Sequence, residues 1–303
     1  MGLSAEDGRP LVSVVLTAYQ QPGYLNEALR SMAGQTYRNI EIIVADDASG
    51  EEFTKQYELS EGARLLVHRE RRGFAAITRN TGIAEARGKY VALLDQDDLF
   101  LPEKIARQVE VLEGRPEAVM TFCHYRHIDE NGVVRRKQRR AFVVGRDPVR
   151  QMLRRNMVMC PSQVMMRRES LVGVGMFDER IRMVSDWDMW LRQAAEGVIV
   201  TEAAVGVLHR QHEGQWSRER MAMCKGSLAM MEKVEGWLLG RRPDLAGVVR
   251  YQRSRWMREL ARVQLSNGGN VAEARGWLKR AIALRPLDWK CYALGLRAMV
   301  RGA

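Results

Sequence analysis

The sequence predicts an α/β fold, in which a mostly parallel sheet flanked by helices is followed by a C-terminal extension of helices only. Over the first two thirds of the chain, short apolar and β-branched segments alternate with segments of helical apolar spacing. Beyond about residue 217 only the helical spacing continues. We therefore expect a flexible start at residues 1–10, an α/β domain at residues 11–217 and a helical region at residues 218–303.

The predicted sheet begins with two strands joined by a helix. Residues 11–18 are apolar and β-branched almost throughout, as expected of a strand buried on both faces. Apolar positions from Leu25 to Met32 follow helical spacing up to Gly34, and residues 40–45 form a second strand. A right-handed crossover makes these strands parallel neighbours, so the loops after them share one edge of the sheet.

The alternation continues through the rest of the domain. Gly and Pro residues separate the segments, which is typical of a doubly wound sheet with one ligand-binding edge. Strands are predicted at residues 64–68, 89–94, 118–123 and 162–166, and helices at residues 74–86, 102–114 and 185–196.

An acidic turn follows the strand at residues 89–94. Asp95, Asp97 and Asp98 bring three carboxylates close together, and such like charges repel unless a positive group lies between them. Carboxylates are ligands that Mg²⁺ and Mn²⁺ prefer, and open α/β sheets bind ligands at the carboxyl ends of their strands. The alternative is a solvated acidic turn, which the short D-x-D spacing favours when it stands alone.

Two further residues have a structural and a functional interpretation. Asp186 precedes an amphipathic helix, where an N-cap aspartate would accept backbone N–H bonds. His212 follows an apolar segment, and a lone histidine is more often a surface or core residue than a ligand. Asp186 and His212 are therefore candidates for a functional site only if other site residues lie next to them.

The net charge of +11 is concentrated in the C-terminal region. Residues 218–303 contain 18 Lys and Arg against 7 Asp and Glu, whereas residues 1–217 contain 30 of each kind. This surplus suits an anionic membrane surface, to which Trp256, Trp277 and Trp289 could also bind. The alternative is an Arg-rich solvated helical face.

Composition also bears on location and partners. The four cysteines are scattered without metal-ligand or disulfide spacing, and neither a signal core nor an apolar run of ~18 residues is present. We expect a cytoplasmic protein, peripheral at the inner face of the membrane if the basic region binds there. The basic run at residues 135–140 lacks interleaved aromatic residues, so no nucleic-acid partner is expected.

Six segments together resemble a known family. In order, they are TAYQQPGYL, ADDAS, RNTGIAEARGKYVALLDQDDLFLP, GMFDE, SDWDMWLR and RQHEGQWS. No single segment is specific, but their order and spacing over residues 11–217 resemble the family 2 glycosyltransferases, which are inverting enzymes of GT-A fold. The resemblance implies a GT-A (Rossmann-like) sheet. It also implies transfer of a sugar from a nucleoside diphosphate donor, expected to be a UDP-sugar, to an acceptor hydroxyl.

The resemblance assigns the donor site to three strand ends. Thr17, Ala18 and Tyr19 match the nucleotide-binding segment, with Tyr19 placed to pack on a base. Asp47 matches an aspartate that accepts a hydrogen bond from uracil N3–H, and because a carboxylate accepts only, a uracil or thymine base is favoured. Asp95 would hold the ribose or sugar side of the donor.

The remaining implied residues complete the donor pocket and a metal site. Arg79 and Asn80 match a pair that supports the donor pocket. Asp97 matches the residue that holds the Mn²⁺ or Mg²⁺ bridging the diphosphate. His212, in a stretch that ends at Ser217, would complete the metal site or contact the diphosphate.

The resemblance also assigns the catalytic base to Asp186. Ser185 stands where many relatives have Glu, which removes a second carboxylate but leaves the aspartate usually assigned as the base. Asp186 would accept the proton of the acceptor hydroxyl in a single displacement, which inverts the anomeric centre.

Proteins of other classes are the alternatives to this function. The main one is a non-catalytic relative that binds nucleotide sugars as a sensor or assembly partner. A nucleotidyltransferase and a dinucleotide-dependent oxidoreductase are disfavoured because no glycine-rich loop follows the first strand. The acceptor could be a glycan or a lipid-linked intermediate, as in polysaccharide biosynthesis. Part of the helical region, ending at Pro286, faintly resembles one tetratricopeptide-type hairpin.

Overall fold

The structure is a computed structural model that describes residues 8–135, 143–212, 219–266 and 269–300, without the side chains of residues 297–300. The chain divides into two units. The first unit comprises Met1–Met152, Asn156–Glu179 and Ser185–Glu213. The second unit comprises Leu153–Arg155, Arg180–Val184 and Gly214–Ala303.

The strands of the first unit are β1 (Val12–Ala18), β2 (Ile40–Asp46), β3 (Arg64–Val67), β4 (Tyr90–Asp95), β5 (Leu99–Phe100), β6 (Ala118–Ile128), β7 (Val164–Arg167) and β8 (Val198–Arg210). They form one sheet in the order β3-β2-β1-β4-β7-β6-β8-β5. The four strands from β3 to β4 in this order are parallel, and β6 and β8 are also parallel. β7 is antiparallel to both of its neighbours, and β5 is antiparallel to β8. The predicted α/β fold is confirmed, with a mixed sheet.

Helices join these strands and flank the sheet, as predicted. They are α1 (Pro22–Ala33), α2 (Glu51–Thr54), α3 (Ala75–Glu85), α4 (Lys104–Glu113), α5 (Pro148–Arg154), α6 (Arg168–Gly173) and α7 (Ser185–Glu196). A short 3₁₀ turn, Pro161–Gln163, precedes β7.

Strand β1 separates two helical layers because its side chains alternate between the faces of the sheet. Val14 and Leu16 pack in a core that also contains apolar residues of α1 and α4. Val15 points to the opposite face, where α3 crosses it at Gly82. A Cβ atom on Gly82 would lie 2.4 Å from Val15 Cγ1, so glycine is what allows α3 to approach the sheet.

The second unit is helical, as the sequence predicts for the C-terminal region. Its helices are α8 (Arg220–Leu238), α9 (Ala246–Ser266), α10 (Val271–Leu284) and α11 (Trp289–Val300). The buried core includes Leu260 from α9, Leu278 from α10 and Cys291 from α11. Asn270 caps α10, because its side chain accepts hydrogen bonds from the backbone N–H groups of Ala272 and Glu273.

None of the helices in the described part of the chain is both long and apolar enough to cross a membrane.

One sequence prediction needs correction, and three others fall outside the described residues. Asp186 does not stand in the N-cap position, because α7 begins one residue earlier at Ser185 and places Asp186 in the first turn. Such a position still favours a carboxylate through the helix dipole. The flexible start at residues 1–7, most of the basic run at residues 135–140 and Ser217 lie outside the described residues.

The contact between α3 and β1 predicts that Gly82→Ala is destabilising. The added methyl group must displace Val15, and such overpacking of a core costs about 1–3 kcal/mol of unfolding free energy. The matched control is Gly23→Ala in the first turn of α1, where a Cβ atom would meet nothing within 4 Å. This control should be neutral or gain up to about 1 kcal/mol. Urea titration measures both, and equal effects of the two substitutions would contradict the proposed contact.

Candidate functional site

The carboxyl ends of β1, β2 and β4 meet at one edge of the sheet, as predicted. Thr17 of β1 pairs with Ala45 of β2 on one side and with Asp95 of β4 on the other. The Thr17 hydroxyl donates to Asp95 Oδ1 over 3.2 Å. The backbone N–H of Asp47 donates to the carbonyl of Ala18 over 3.0 Å. The residues assigned to the donor site at these strand ends are therefore neighbours.

Asp46 stabilises the turn after β2. It is fully buried and accepts hydrogen bonds from the Ser49 backbone N–H (2.8 Å), the Ser49 hydroxyl (2.6 Å) and the Tyr57 hydroxyl (2.6 Å). Burial and the Asp46 carboxylate raise the pKa of Tyr57 well above its usual value, so Tyr57 remains a hydrogen-bond donor. Ser49 Oγ in turn accepts the backbone N–H of Gln20 over 2.8 Å. Asp46 is thus fully used in holding the strand-end loops together.

The next carboxylate, Asp47, holds the loop that enters α3. It accepts the backbone N–H groups of Arg72 (2.8 Å) and Gly73 (2.7 Å), and its Oδ1 lies 3.1 Å from His68 Nδ1. His68 Nε2 lies 2.9 Å from Thr81 Oγ1. A carboxylate offers about four lone-pair directions, so these contacts leave about one for a ligand. The assigned contact with a nucleobase remains a prediction.

Tyr19 is held at its backbone and faces a cation at its ring. Its backbone N–H donates to Gln96 Oε1 (2.7 Å), and Gln96 Nε2 donates to the Tyr19 carbonyl (3.1 Å). Gln96 is the middle residue of the D-x-D motif, so the motif and the first strand are joined directly. The Arg71 guanidinium lies 4.2 Å from the centre of the Tyr19 ring. The Tyr19 ring, which is predicted to pack on a nucleobase, therefore already stacks with Arg71.

Arg79 brings a positive charge to the acidic turn. Its Nη2 donates to Asp95 Oδ1 over 2.7 Å, and the side chain is 8% exposed. The Arg79 Nε is buried without a hydrogen-bond partner among the described residues. A buried N–H of this kind is costly unless a ligand or water accepts its hydrogen bond.

Asp186 lies close enough to this ion pair to experience both of its charges. Burial raises the pKa of the Asp186 carboxyl above its usual value, and the neighbouring Asp95 charge acts in the same direction. The Arg79 guanidinium and the backbone N–H of Trp187 oppose the rise without cancelling it. The structure thus places Asp186, Arg79 and Asp95 in one charged group, and a raised pKa suits a proton acceptor that works near neutral pH.

Asn80 points to a different task. Its Nδ2 donates to the Phe177 carbonyl and to Glu179 Oε1, both over 2.9 Å, and its Oδ1 accepts the Phe177 backbone N–H over 3.0 Å. The side chain is therefore used in fixing the GMFDE segment. Asn80 can support a donor pocket by positioning that segment.

Asp97 and His212 form the predicted pair. His212 Nε2 lies 3.1 Å from Asp97 Oδ2, and the two side chains are 11% and 19% exposed, respectively. Burial disfavours the Asp97 carboxylate, but the His212 hydrogen bond and the charges of His209 and His212 outweigh it and lower the pKa. Asp97 is therefore a charged, partly accessible carboxylate beside an imidazole.

Asp98 is fully buried and connects the acidic turn to β8. It accepts the Ser162 hydroxyl (2.6 Å) and the Arg210 backbone N–H (3.1 Å), and its Oδ1 lies 2.9 Å from His209 Nδ1. Burial alone would favour the neutral imidazole of His209, but the Asp98 carboxylate outweighs it and raises the pKa of His209 to about 9. The His209 side chain is thus a cation at neutral pH.

Arg210 is a buried cation, fully removed from solvent, that joins four parts of the first unit. Its Nε donates to the Asp97 carbonyl (3.0 Å), its Nη1 to the Glu130 carbonyl (2.9 Å) and its Nη2 to Glu27 Oε2 (2.6 Å). Its guanidinium also stacks 4.5 Å from the ring centre of Tyr24 on α1. Arg210 therefore fixes the backbone of the D-x-D turn through the Asp97 carbonyl.

A second group of side chains could hold a metal ion. Ligand atoms of Asp98, Cys160 and His209 lie within 4.8 Å of one another. Burial raises the pKa of the Cys160 thiol well above its usual value, so the thiol stays protonated and is a poor ligand for a hard cation. This group therefore fits Mn²⁺ or Mg²⁺ less well than Asp97 and His212 do.

Sequence reasoning missed five residues that shape the site: Gln96, Ser162, His209, Glu27 and Arg71. Gln96 lies inside a motif that was recognised, and His209 begins the HRQH segment, so each had a local signal. Ser162, Glu27 and Arg71 had none, because nothing in their local pattern shows which distant element they meet.

The Arg210 contacts predict that Arg210→Lys is strongly destabilising. A lysine cannot donate to three separate acceptors in this geometry, and disrupting a buried charged network costs about 3–5 kcal/mol of unfolding free energy. The matched control is Arg126→Lys at an exposed position of β6, which should change the unfolding free energy by less than about 0.5 kcal/mol. Urea titration compares the two variants. If Arg210→Lys loses no more unfolding free energy than Arg126→Lys does, the buried network is not needed for stability.

Several sequences that are similar to this chain are named as glycosyltransferases. An uncharacterised glycosyltransferase of Methanocaldococcus jannaschii is 29% identical over 192 residues, covering 62% of this chain and 66% of the relative. An uncharacterised glycosyltransferase of Rickettsia typhi is 27% identical over 241 residues, covering 75% and 74%. TuaG of Bacillus subtilis, provisionally named for teichuronic acid biosynthesis, is 31% identical over 127 residues, covering 41% and 50%.

Solved structures share the fold at low sequence identity. Staphylococcus aureus TarS residues 1–349, solved with UDP-GlcNAc, superposes with a TM-score of 0.68 at 14% identity, covering 95% of this chain and 89% of TarS 1–349. The mannosyltransferase PcManGT of Pyrobaculum calidifontis, solved with GDP-Man and Mn²⁺, gives a TM-score of 0.60 at 18% identity, covering 97% and 87%. These likenesses establish a GT-A-type fold. The sequence profile of glycosyl transferase family 2 matches residues 13–174, more than half of the chain, and the protein therefore belongs to that family.

Proposed function

We propose that this glycosyltransferase is metal-dependent and inverting, and that it transfers a sugar from a nucleoside diphosphate donor to an acceptor hydroxyl. The observation that supports this most directly is the grouping of Asp95, Arg79 and Asp186, with the pKa of Asp186 raised by burial. A single displacement requires one group that holds the donor and one base that accepts the hydroxyl proton. Asp95 and Asp186 would supply these two groups close to each other.

Contacts at the strand ends support a nucleotide donor. The buried Arg79 Nε has no protein acceptor among the described residues and could donate to a donor oxygen. Asp47 retains about one acceptor direction, which suits the N3–H of a uracil base. TarS has been solved with UDP-GlcNAc and PcManGT with GDP-Man, so this fold accommodates both base types in its relatives. We propose a UDP-sugar for this chain because Asp47 can accept but not donate.

For the cofactor, we propose Mn²⁺ or Mg²⁺ at Asp97 and His212. The donor set fits such an ion, because Asp97 is held charged, lies 3.1 Å from the imidazole and is partly accessible. PcManGT was solved with Mn²⁺. The ion would neutralise charge that develops on the departing diphosphate.

The chain's own residues then account for the reaction. Asp186 accepts the proton of the acceptor hydroxyl while the acceptor oxygen forms a bond to the anomeric carbon. The bond between that carbon and the diphosphate oxygen breaks, and the nucleoside diphosphate leaves with the bonding electrons. Because one displacement occurs and no enzyme nucleophile takes part, the anomeric configuration inverts. Arg79 and Thr17 hold Asp95 in place for the donor.

For the acceptor and location, we propose a glycan or lipid-linked acceptor in polysaccharide biosynthesis, with attachment of the basic C-terminal region to an anionic membrane surface. The surplus of 18 basic over 7 acidic residues in residues 218–303 supports the attachment. The name of the Bacillus subtilis relative TuaG supports the polysaccharide role. The four cysteines are unpaired and buried, which suits a reducing cytoplasm.

The metal proposal predicts a Mn²⁺-dependent thermal shift with one class of donor. A ligand at 100 times its dissociation constant stabilises the folded state by about 2.7 kcal/mol, which should raise the unfolding midpoint by roughly 5–10 °C. UDP-, dTDP- and GDP-sugars are screened with and without Mn²⁺, and the shift should be lost in Asp97→Ala. Asp147→Ala, which removes a partly exposed carboxylate paired with Arg150, is the matched control and should keep the shift.

If Asp97→Ala retains the Mn²⁺-dependent thermal shift, the cation binds at a residue other than Asp97. No shift with any nucleotide sugar, from a folded protein, would overturn the donor proposal itself.

The base assignment predicts that Asp186→Asn lowers kcat by about 10²–10⁴-fold, because an amide cannot accept the hydroxyl proton. The donor-dependent thermal shift should persist, since Asp186 is not needed to bind the nucleotide. Asp188→Asn is the contrasting variant on the same helix turn, where a buried carboxylate pairs with Arg192 at 2.7 Å. That variant should lower the unfolding midpoint instead of the turnover of the folded enzyme. Near-full turnover in Asp186→Asn would show that another group is the base.

The raised pKa of Asp186 also predicts the pH profile. The base must be ionised, so kcat/KM should fall as pH falls through its folded-state pKa, which burial has moved upward. We therefore expect the acidic limb to lie above about pH 3.9, the usual aspartate value, and to disappear in Asp186→Asn. Donor binding without turnover at any pH, in the presence of glycan and lipid-linked acceptors, would favour the non-catalytic alternative.

A further inference from the structure

Helix α11 exposes apolar side chains on a face turned about 110° from its buried one. Cys291 lies in the core of the second unit and is fully buried, and Gly295 faces Leu278 of α10. On the exposed face, Trp289 (69% exposed) and Leu296 (65%) share a sector with Tyr292 (47%). At 100° per residue these three positions fall within about 60° of the helix circumference. The helix is therefore apolar on both its buried and its exposed face.

The turn before α11 extends this surface. Leu287 is 95% exposed, and the Tyr292 hydroxyl donates to the carbonyl of the preceding Pro286 over 2.8 Å. Leu287 is thereby held next to the exposed side of the helix. The surface that we call the α11 apolar stripe consists of Leu287, Trp289, Tyr292 and Leu296.

The stripe is presented by an ordered turn. Asp288 is 8% exposed and forms an ion pair with Arg258 of α9. Its Oδ1 also accepts the backbone N–H of Lys290 over 3.2 Å, in the first turn of α11. Leu287 and Trp289 thus lie on a capped and ion-paired helix start, so the backbone that carries both side chains is already ordered.

Positive charge borders the stripe. The Lys290 Nζ lies 6.0 Å from the Trp289 ring centre, and Arg285 stacks 4.7 Å from the ring centre of Tyr251, which is itself 41% exposed. Asp288 is the one acidic residue in the sequence from residue 274 to the end of the chain, and it is buried by its ion pair. Exposed aromatic and aliphatic side chains thus lie beside cations, and the sequence from residue 274 onward adds no exposed carboxylate to this surface.

We infer that the α11 apolar stripe inserts into the interface of an anionic phospholipid membrane. Trp and Tyr are favoured at the headgroup level, Leu enters the acyl boundary, and Lys and Arg bind the anionic headgroups. A second copy of this chain suits the stripe less well, because the same cations would face each other across the contact. The inference rests on the proposed membrane attachment and assigns it to one helix face.

The test measures partition of the full chain onto vesicles by co-sedimentation. Vesicles of phosphatidylcholine alone are compared with vesicles that also contain phosphatidylglycerol, at low and at high salt. The wild type should bind the anionic vesicles at low salt, with about fivefold weaker binding for each basic contact that salt screens.

The test variant combines Leu287→Ser, Trp289→Ser and Leu296→Ser, and it keeps Tyr292 because that hydroxyl fixes the turn. Its partition coefficient on anionic vesicles should fall at least about tenfold, since interfacial binding scales with the apolar area buried. The matched control combines Val67→Ser and Val172→Ser, two exposed apolar residues of the first unit (49% and 44%), and should bind as the wild type does. Circular dichroism is the control that checks whether both variants retain their helices.

The outcomes separate the inference from the proposals on which it rests. Equal vesicle binding by the wild type and the stripe variant would overturn the assignment to α11 while leaving membrane attachment in place. No binding by the wild type would overturn both. If the stripe variant instead converts a dimer to a monomer in sedimentation velocity, with no effect on vesicles, the stripe is a contact between copies. The donor-dependent thermal shift should be the same in all variants, and it tests the glycosyltransferase site separately.

Discussion

Each of the three carboxylates in the turn after β4 lies beside a different basic side chain. Asp95 pairs with Arg79, and Asp97 lies beside His212. Asp98 is buried against a histidine whose pKa it raises to about 9. Burial and the neighbouring Asp97 and Asp95 charges still raise the pKa of Asp98, so the basic side chains offset the repulsion only in part. The geometry of the strand ends depends on this arrangement of charge, since the backbone of the turn is held by the same groups.

The basic side chains reach the turn from opposite directions. Arg79 comes from α3, on the face of the sheet that Gly82 allows the helix to approach. The histidines and Arg210 come from the end of β8, which lies on the far side of the sheet order from β1. Arg210 is itself held by Glu27 of α1 and by backbone carbonyls, so it is a fixed charge. An acidic turn that is positioned from both sides is suited to hold a diphosphate and its cation in one geometry.

Neighbouring carboxylates with identical side chains perform different tasks at this edge. Asp46 is saturated by hydrogen bonds and stabilises a turn, whereas Asp47 keeps part of its acceptor capacity. On α7, Asp188 is buried in an ion pair, whereas Asp186 is more exposed and has a raised pKa. Asp46 thus holds the turn next to Asp47, and Asp188 joins its helix turn to Arg192, so one carboxylate of each pair has a structural role.

The sequence by itself determined most of the strands and helices, the edge at which the acidic segments meet and, through six ordered segments, the resemblance to the family. The elements and their shared edge follow from local periodicity and from the right-handed crossover, which need no distant contact. Only the tertiary structure decided that β7 enters antiparallel and that Arg210 lies beneath the D-x-D turn. It also decided that Asn80 fixes a loop and that the stripe on α11 is exposed. Such contacts join residues up to 183 positions apart, as Glu27 and Arg210 are, and no local pattern encodes which distant side chain meets which.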